Sequence, residues 1–170
     1  MGVTFRPVET EEEKDRLARM AHDIWFEYWP DLIGAGQTAY MVEQFQSRDA
    51  IERDMGAHAY EYWIITADGR DVGYTGGRVE PETNRFFISK IYLFKEERGK
   101  HFASATIAFY DELCRNRGLD AMYLTVNKHN DLGIRAYTAK GFETIDAVRT
   151  DIGEGYVMDD YIMEKQVGAN

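Results

Sequence analysis

The chain has 170 residues and a net charge of −10, with 44% hydrophobic and 14% aromatic residues. That content argues against disorder, and the length fits one domain able to bury its own core. The acidic balance argues against a general nucleic-acid binder, whose affinity comes from Lys and Arg neutralising phosphates, and weakly favours cationic partners such as amines.

Cys114 is the single cysteine, which excludes an intrachain disulfide and suits a reducing compartment. No apolar run approaches the ~20 residues needed to cross a membrane. The start, MGVTFRPVETEEEK, lacks the basic residues and apolar stretch of a signal peptide. A soluble cytoplasmic protein with no membrane contact is the expectation.

Val3 to Arg6 reads as an opening strand. Thr10 followed by Glu13 is a capping box, and Leu17, Met20, Ile24 and Tyr28 then recur at helical spacing until Pro30. A second helical stretch covers Thr38 to Phe45, while Asp49 to Ala59 fits no single pattern. Tyr60 to Thr66, the Asp68-Gly69 turn and Asp71 to Tyr74 form a hairpin pattern. Phe86 to Phe94 is apolar on both faces and reads as a central strand.

A basic loop, Arg98-Gly99-Lys100, opens the next helix, which carries Phe102, Thr106, Phe109 and Leu113 on one face and ends at Gly118. Ala121 to Val126 alternates as a strand, and Asn130-Asp131 caps a short helix ending at Gly141. Phe142 begins a further strand, Asp151 to Gly155 a turn, and Tyr156 to Met163 a last strand. Helices interleaved with strands give a mixed α/β sheet. Residues 1–165 are expected to form a single domain, followed by a loose tail over 166–170.

A strand, a glycine loop and a helix start together suit a pyrophosphate. First-turn amides lack partners, the helix dipole adds positive potential, and glycine permits close approach. Neither a P-loop nor a dinucleotide fingerprint is present. The hexapeptide Arg98-Gly99-Lys100-His101-Phe102-Ala103 resembles the cofactor motif Gln/Arg-x-x-Gly-x-Gly/Ala of the GNAT (Gcn5-related N-acetyltransferase) family. Downstream, Leu124 to Asn127, Asn130, and Ala136-Tyr137-Thr138-Ala139-Lys140-Gly141-Phe142 look like that family's second motif. His101 stands where the first motif glycine belongs. Its Cβ disfavours positive φ and crowds a pyrophosphate, while its ring could donate to one.

The resemblance implies a GNAT-like fold, a mixed central sheet with splayed parallel strands flanked by helices. It implies acetyl-CoA as co-substrate, bound by Ile91, Tyr92 and Leu93 along the pantetheine arm, by the 98–103 loop at the phosphates, and by Asn130. It makes Tyr137 the general acid beside the leaving sulfur and puts the acceptor pocket near the first two helices, with Trp25 and Tyr28 as aromatic walls. The matching reaction is direct acetyl transfer to a primary amine, such as a small cationic amine or polyamine.

A protein or peptide N-terminus as acceptor, and a non-catalytic acyl-CoA-binding module, are the alternatives. The base stays unassigned among Glu27, Glu80, Glu82 and a water chain. The carboxylates of Gly155 to Tyr161 are placed to read a positive charge, or simply edge a polar strand. Scattered histidines give no metal site, and Cys114, inside an apolar helical pattern, is not a nucleophile. Members of the family often pair, so a homodimer is compatible with the resemblance.

Overall fold

A computed structural model describes residues 2–167. In chain order it contains β1 (Val3–Pro7), α1 (Glu11–Tyr28), α2 (Pro30–Ile33) and α3 (Ala35–Met41), the last continued by a π-helical turn (Val42–Gln46). There follow α4 (Arg48–Gly56), β2 (Glu61–Ala67), β3 (Arg70–Glu80), β4 (Arg85–Leu93) and a 3-10 turn (Lys95–Glu97). The chain ends with α5 (Phe102–Arg117), β5 (Ala121–Asn127), α6 (Asp131–Ala139), β6 (Glu143–Gly153) and β7 (Tyr156–Gln166). The strands form a seven-stranded mixed sheet in the order β1-β2-β3-β4-β5-β7-β6. Two compact units divide the chain. The first holds the residues up to Arg78 together with Lys90–Thr106, the second Val79–Ser89 and the residues from Ile107 on.

In the first unit the expected capping box forms. Thr10 Oγ1 accepts from the Glu13 amide at 3.1 Å, and the Glu13 carboxylate accepts from the Thr10 amide at 2.9 Å. The helix it starts buries Leu17, Met20, Ala21, Ile24 and Trp25. Leu17, Met20, Ala21 and Ile24 pack with Tyr62, Ile64 and Tyr74 of the β2–β3 hairpin. Asp68 (φ 52) and Gly69 (φ 78) turn that hairpin, as the Asp-Gly pair predicts. The ambiguous stretch after Asp49 becomes α4: Ser47 Oγ accepts from the Ala50 amide at 3.2 Å, and Ala50 and Ile51 are buried. Phe102, at the start of α5, closes a second cluster with Ile65, Ala67 and Val72.

In the second unit β4 and β5 pair in parallel from Arg85↔Ala121 to Ile88↔Leu124, and among the described residues this register stops before either strand ends. Phe86 meets Tyr110 of α5 at 5.1 Å between ring centroids. β7 lies between β5 and β6, antiparallel to both. Two expectations need correction. β6 runs through Asp151 to Gly153, so the turn shrinks to Glu154 and Gly155. The tail is not loose at its start: Gln166 pairs with Ala121, and the Val167 amide donates to the Asp120 carbonyl at 3.0 Å. Residues 168–170 lie outside the described residues.

Gly73 is a close backbone approach within the first unit. A Cβ there would stand 2.2 Å from the Tyr92 carbonyl oxygen, a backbone atom that cannot swing aside. Gly73→Ala is therefore expected to cost about 2–3 kcal/mol, read from urea unfolding. A loss below about 0.5 kcal/mol would show that the β3–β4 spacing is relaxed.

Candidate functional site

The corner between β4 and α5 belongs to the first unit. Gly99 (φ 78) and His101 (φ 69) both adopt left-handed backbone. An L-residue there costs about 1–2 kcal/mol, so His101 occupies a conformation that suits glycine. Open space surrounds Gly99, and the Ala105 amide bonds back to the His101 carbonyl at 3.1 Å. The amides ahead of it, in the first turn of α5, are those a helix leaves for an outside acceptor.

The loop's basic side chains are engaged within the unit. Lys100 Nζ is 3.0 Å from Glu97 Oε1, and Arg70 donates to both oxygens of the same carboxylate at 2.8 and 2.9 Å. Hydrogen bonds from Arg70 above all hold the Glu97 carboxyl down to about 2. Arg98 lies 4.2 Å over the Tyr28 ring and donates to the Leu93 carbonyl at 3.3 Å. The Glu27 carboxylate accepts from the Lys95 amide. Arg98 and Lys100 therefore tie the loop to its own unit.

Backbone direction at the end of β4 is set by β3. The Phe94 amide donates to the Val72 carbonyl at 3.0 Å, and the Tyr92 carbonyl faces Gly73. Alternation along a strand then turns the amides of Ile91 and Leu93 away from β3. Ala103 is half-buried beside Phe102.

Trp25 departs from the expected acceptor wall. It is 2% exposed, its indole donates to the Tyr74 hydroxyl at 3.0 Å, and it packs on Trp29 and Tyr92. The side chain is core. Tyr28 is half-buried, with its ring covered in part by Arg98.

Lys90 was not picked out from the sequence. It is 5% exposed in β4, and its ammonium donates to the Phe45 carbonyl of the π-helical turn at 2.7 Å and to the Tyr62 hydroxyl at 2.6 Å, with Asp54 at 3.8 Å. Burial pushes its pKa down to about 8. The available signal was a lone lysine inside the apolar run Phe86 to Phe94.

The second unit carries the other motif. Asn130 caps α6, its side-chain oxygen accepting from the Gly133 amide at 3.0 Å. A Cβ on Gly133 would stand 2.6 Å from that carboxamide, so a larger residue there would displace the cap. Tyr137 lies edge-on to Phe142, centroids 5.7 Å apart, and its carbonyl accepts from the Lys140 and Phe142 amides. Among the described residues its hydroxyl makes no hydrogen bond. Burial pushes the phenol up to about 12. Glu80 is committed to Tyr123, Thr83 and Arg85. Cys114 is fully buried, with its thiol pushed up to about 11, which agrees with an inert side chain.

A model of the acetyltransferase (GNAT) family matches residues 19–142. An uncharacterised N-acetyltransferase of Bacillus subtilis, YycN, is 25% identical over 155 residues, covering 87% of this chain and 97% of that protein. Among solved structures, the PaiA N-acetyltransferase of Thermoplasma acidophilum in complex with coenzyme A superposes with TM-score 0.78 at 19% identity, over 98% of this chain and 99% of that one. The ribosomal-protein-S18-alanine N-acetyltransferase of Escherichia coli gives TM-score 0.71 at 15% identity, over 99% and 96%.

Two outcomes test the geometry. His101→Gly should raise stability by about 0.5–1 kcal/mol, and Gly99→Ala should lower it by about 1 kcal/mol. Urea titrations in which both variants move the same way would refute the left-handed turn. For Lys90, the unfolded chain keeps its proton to about 10.5 while the folded chain sheds it near 8. The unfolded state therefore binds more protons in that window, and folded stability climbs as pH rises through it. Relative to Lys90→Met, wild type should gain on the order of 3 kcal/mol between these pH values. A flat difference would place the amine in water.

Proposed function

The chain belongs to the acetyltransferase (GNAT) family, and from that premise we propose that it moves the acetyl group of acetyl-CoA directly onto the primary amine of a small cationic acceptor, with Tyr137 as general acid. An acyltransferase with acetyl-CoA as co-substrate follows from the family match and its N-acetyltransferase relatives. The acceptor and the residue roles are this proposal's own.

The observation that carries it is the unpartnered Tyr137 hydroxyl. Tyr137 is half-buried in α6, and its hydroxyl makes no hydrogen bond to any described residue, which leaves it open to a partner from outside the chain. Its phenol stays protonated throughout the neutral range. A pKa near 12 looks too high for handing a proton to a thiolate of ordinary pKa, about 8.5. Desolvation raises thiols too, as Cys114 in the same unit shows at about 11. In a site that excludes water the two groups come close enough for transfer.

The first unit would supply binding. The start of α5 would hold the diphosphate on backbone amides, with Gly99 giving close access. Ile91 and Leu93, whose amides face away from β3, would pair with the pantetheine arm, and the Leu93 amide would donate to the thioester oxygen as charge develops there. Asn130 would contribute through its amide group while its oxygen caps α6. With Trp25 in the core and Tyr28 under Arg98, preference for a cation rests on carboxylates and the −10 net charge more than on aromatic walls.

Acetyl-CoA should raise the melting temperature, since a ligand held at 100 times its Kd stabilises the folded state by about 2.7 kcal/mol. Tyr137→Phe should keep that shift while lowering turnover of a primary-amine panel by about 10²-fold or more. Absence of any shift refutes the coenzyme reading, and full activity in the variant refutes the role of Tyr137. Turnover confined to peptide N-termini would replace the small-amine acceptor.

A further inference from the structure

The second unit holds another polar side chain without a partner. Asp160 of β7 is 6% exposed, and among the described residues it makes no hydrogen bond or ion pair. Strand register places it opposite Asn127, the last residue of β5, and opposite Val148 of β6. Alternation puts it on the same face of β7 as Ile162 and Glu164.

Of the other carboxylates around this face, Glu143 and Asp146 of β6, opposite Glu164 and Ile162, are exposed, Asp146 accepting from the Ala147 amide at 2.8 Å. Glu164 takes Arg85 at 2.6 Å, and Glu80 takes the same guanidinium at 3.2 Å. The neighbouring Asp159, directed to the opposite face, pairs with Lys128 at 3.0 Å. Asn127, across the strand, spends its side-chain oxygen on the His129 amide at 2.8 Å. Among these carboxylates Asp160 is the buried residue without a described partner, and keeping a carboxylate unpaired in so closed a position is costly unless something binds it.

We propose that Asp160 binds the acceptor's ammonium group and takes up the proton that the amine must lose before it attacks. This rests on the acyl-transfer reading and names the acceptor anchor and base within it. Asp160 Oδ accepts one N–H proton from the ammonium. The freed nitrogen lone pair forms the bond to the acetyl carbon, and the carbon–sulfur bond breaks with its electron pair passing to sulfur. Sulfur takes the hydroxyl proton of Tyr137. The nitrogen's remaining extra proton leaves to solvent, through which Asp160 and Tyr137 return to their starting states. The sum is ammonium plus thioester giving amide, thiol and one proton.

The electrostatics fit. Burial first, then Asp159, pushes the Asp160 carboxyl up to about 6, and Lys128 pulls the other way. A carboxylate of that basicity is still mostly ionised at pH 7, yet holds a proton better than a solvated aspartate. The folded state binds the proton more tightly than the unfolded one, so folded stability falls as pH rises from about 4 to 6, and the ionised side chain is a burden at neutral pH.

Asp160→Asn separates this role from a structural one. The variant should melt a few degrees higher than wild type at pH 7 and no higher at pH 4. It should lower kcat/KM for amine probes by about 10²-fold or more and lose the acidic limb of the pH profile near pH 6. The probes are spermidine and n-butylamine. In wild type, the Asp160 carboxyl carbon, followed by ¹³C NMR, should titrate near 6 and shift when either amine is added.

The acetyl-CoA thermal shift is measured on both proteins. It should survive in the variant, and its loss from wild type would count against the coenzyme reading rather than against Asp160. A variant that melts lower at pH 7, an Asp160 signal titrating near 4, or a signal indifferent to both amines would each overturn the proposal, the last two marking a carboxyl satisfied by water.

Discussion

The backbone contact between Gly73 and Tyr92 governs what the end of β4 can do. Because β3 comes this close, Tyr92 and Phe94 turn their backbone groups toward it, and Ile91 and Leu93 must turn theirs away. A side chain at position 73 would push the strands apart and release that constraint. The same contact fixes where the loop to α5 departs, and hence where the helix presents its first amides. The orientation of these amides is thus a consequence of backbone packing more than of any charged side chain.

That ordering explains how a strongly acidic chain carries a basic loop. Glu97 is 5% exposed and draws in both Arg70 and Lys100. Arg98 leans on Tyr28 and the Leu93 carbonyl, and Glu27 holds the Lys95 amide. The charges stiffen the turn in which Gly99 and His101 take left-handed backbone. A loop that is already ordered loses less entropy when it closes on a ligand. Lys100 is exposed on a flexible stem, and Glu97 keeps the bidentate Arg70 whether or not Lys100 stays beside it.

Much of this was legible in residue order. The capping box at Thr10, the Asp68-Gly69 hairpin, the strand before Arg98 and the Asn130 cap are local signals, and each structure forms where its residues stand. His101 was legible as a problem because only backbone geometry makes a missing glycine matter. What stayed hidden depends on distant partners. α4 lacks a clean apolar stripe, and its burial of Ala50 and Ile51 depends on what packs over it. Trp25 reads equally well as a pocket wall or a core residue until Tyr74 is placed beside it. Lys90 is a polar letter in an apolar word, and its meaning depends on the π-helical turn that brings the Phe45 carbonyl within 2.7 Å. Gln166 looked like tail because strand pairing with Ala121 leaves no local mark.

The distribution of unsatisfied groups is the last step. Buried polar atoms in folded proteins nearly always have partners, so the exceptions ask for a cause. Asp111 Oδ1 is buried without one, but the other oxygen of that carboxylate pairs with Arg115 one helical turn away. Its charge is therefore neutralised, and the bare oxygen is a modest loss inside α5. Lys90 is buried and fully engaged, so it is structural despite its depressed pKa. Tyr137 and Asp160 differ from both. Burial raises the pKa of both, and neither side chain makes a hydrogen bond to a described residue. Packing alone gives no reason to leave two such groups without protein partners in one unit, whereas an incoming ligand would supply them.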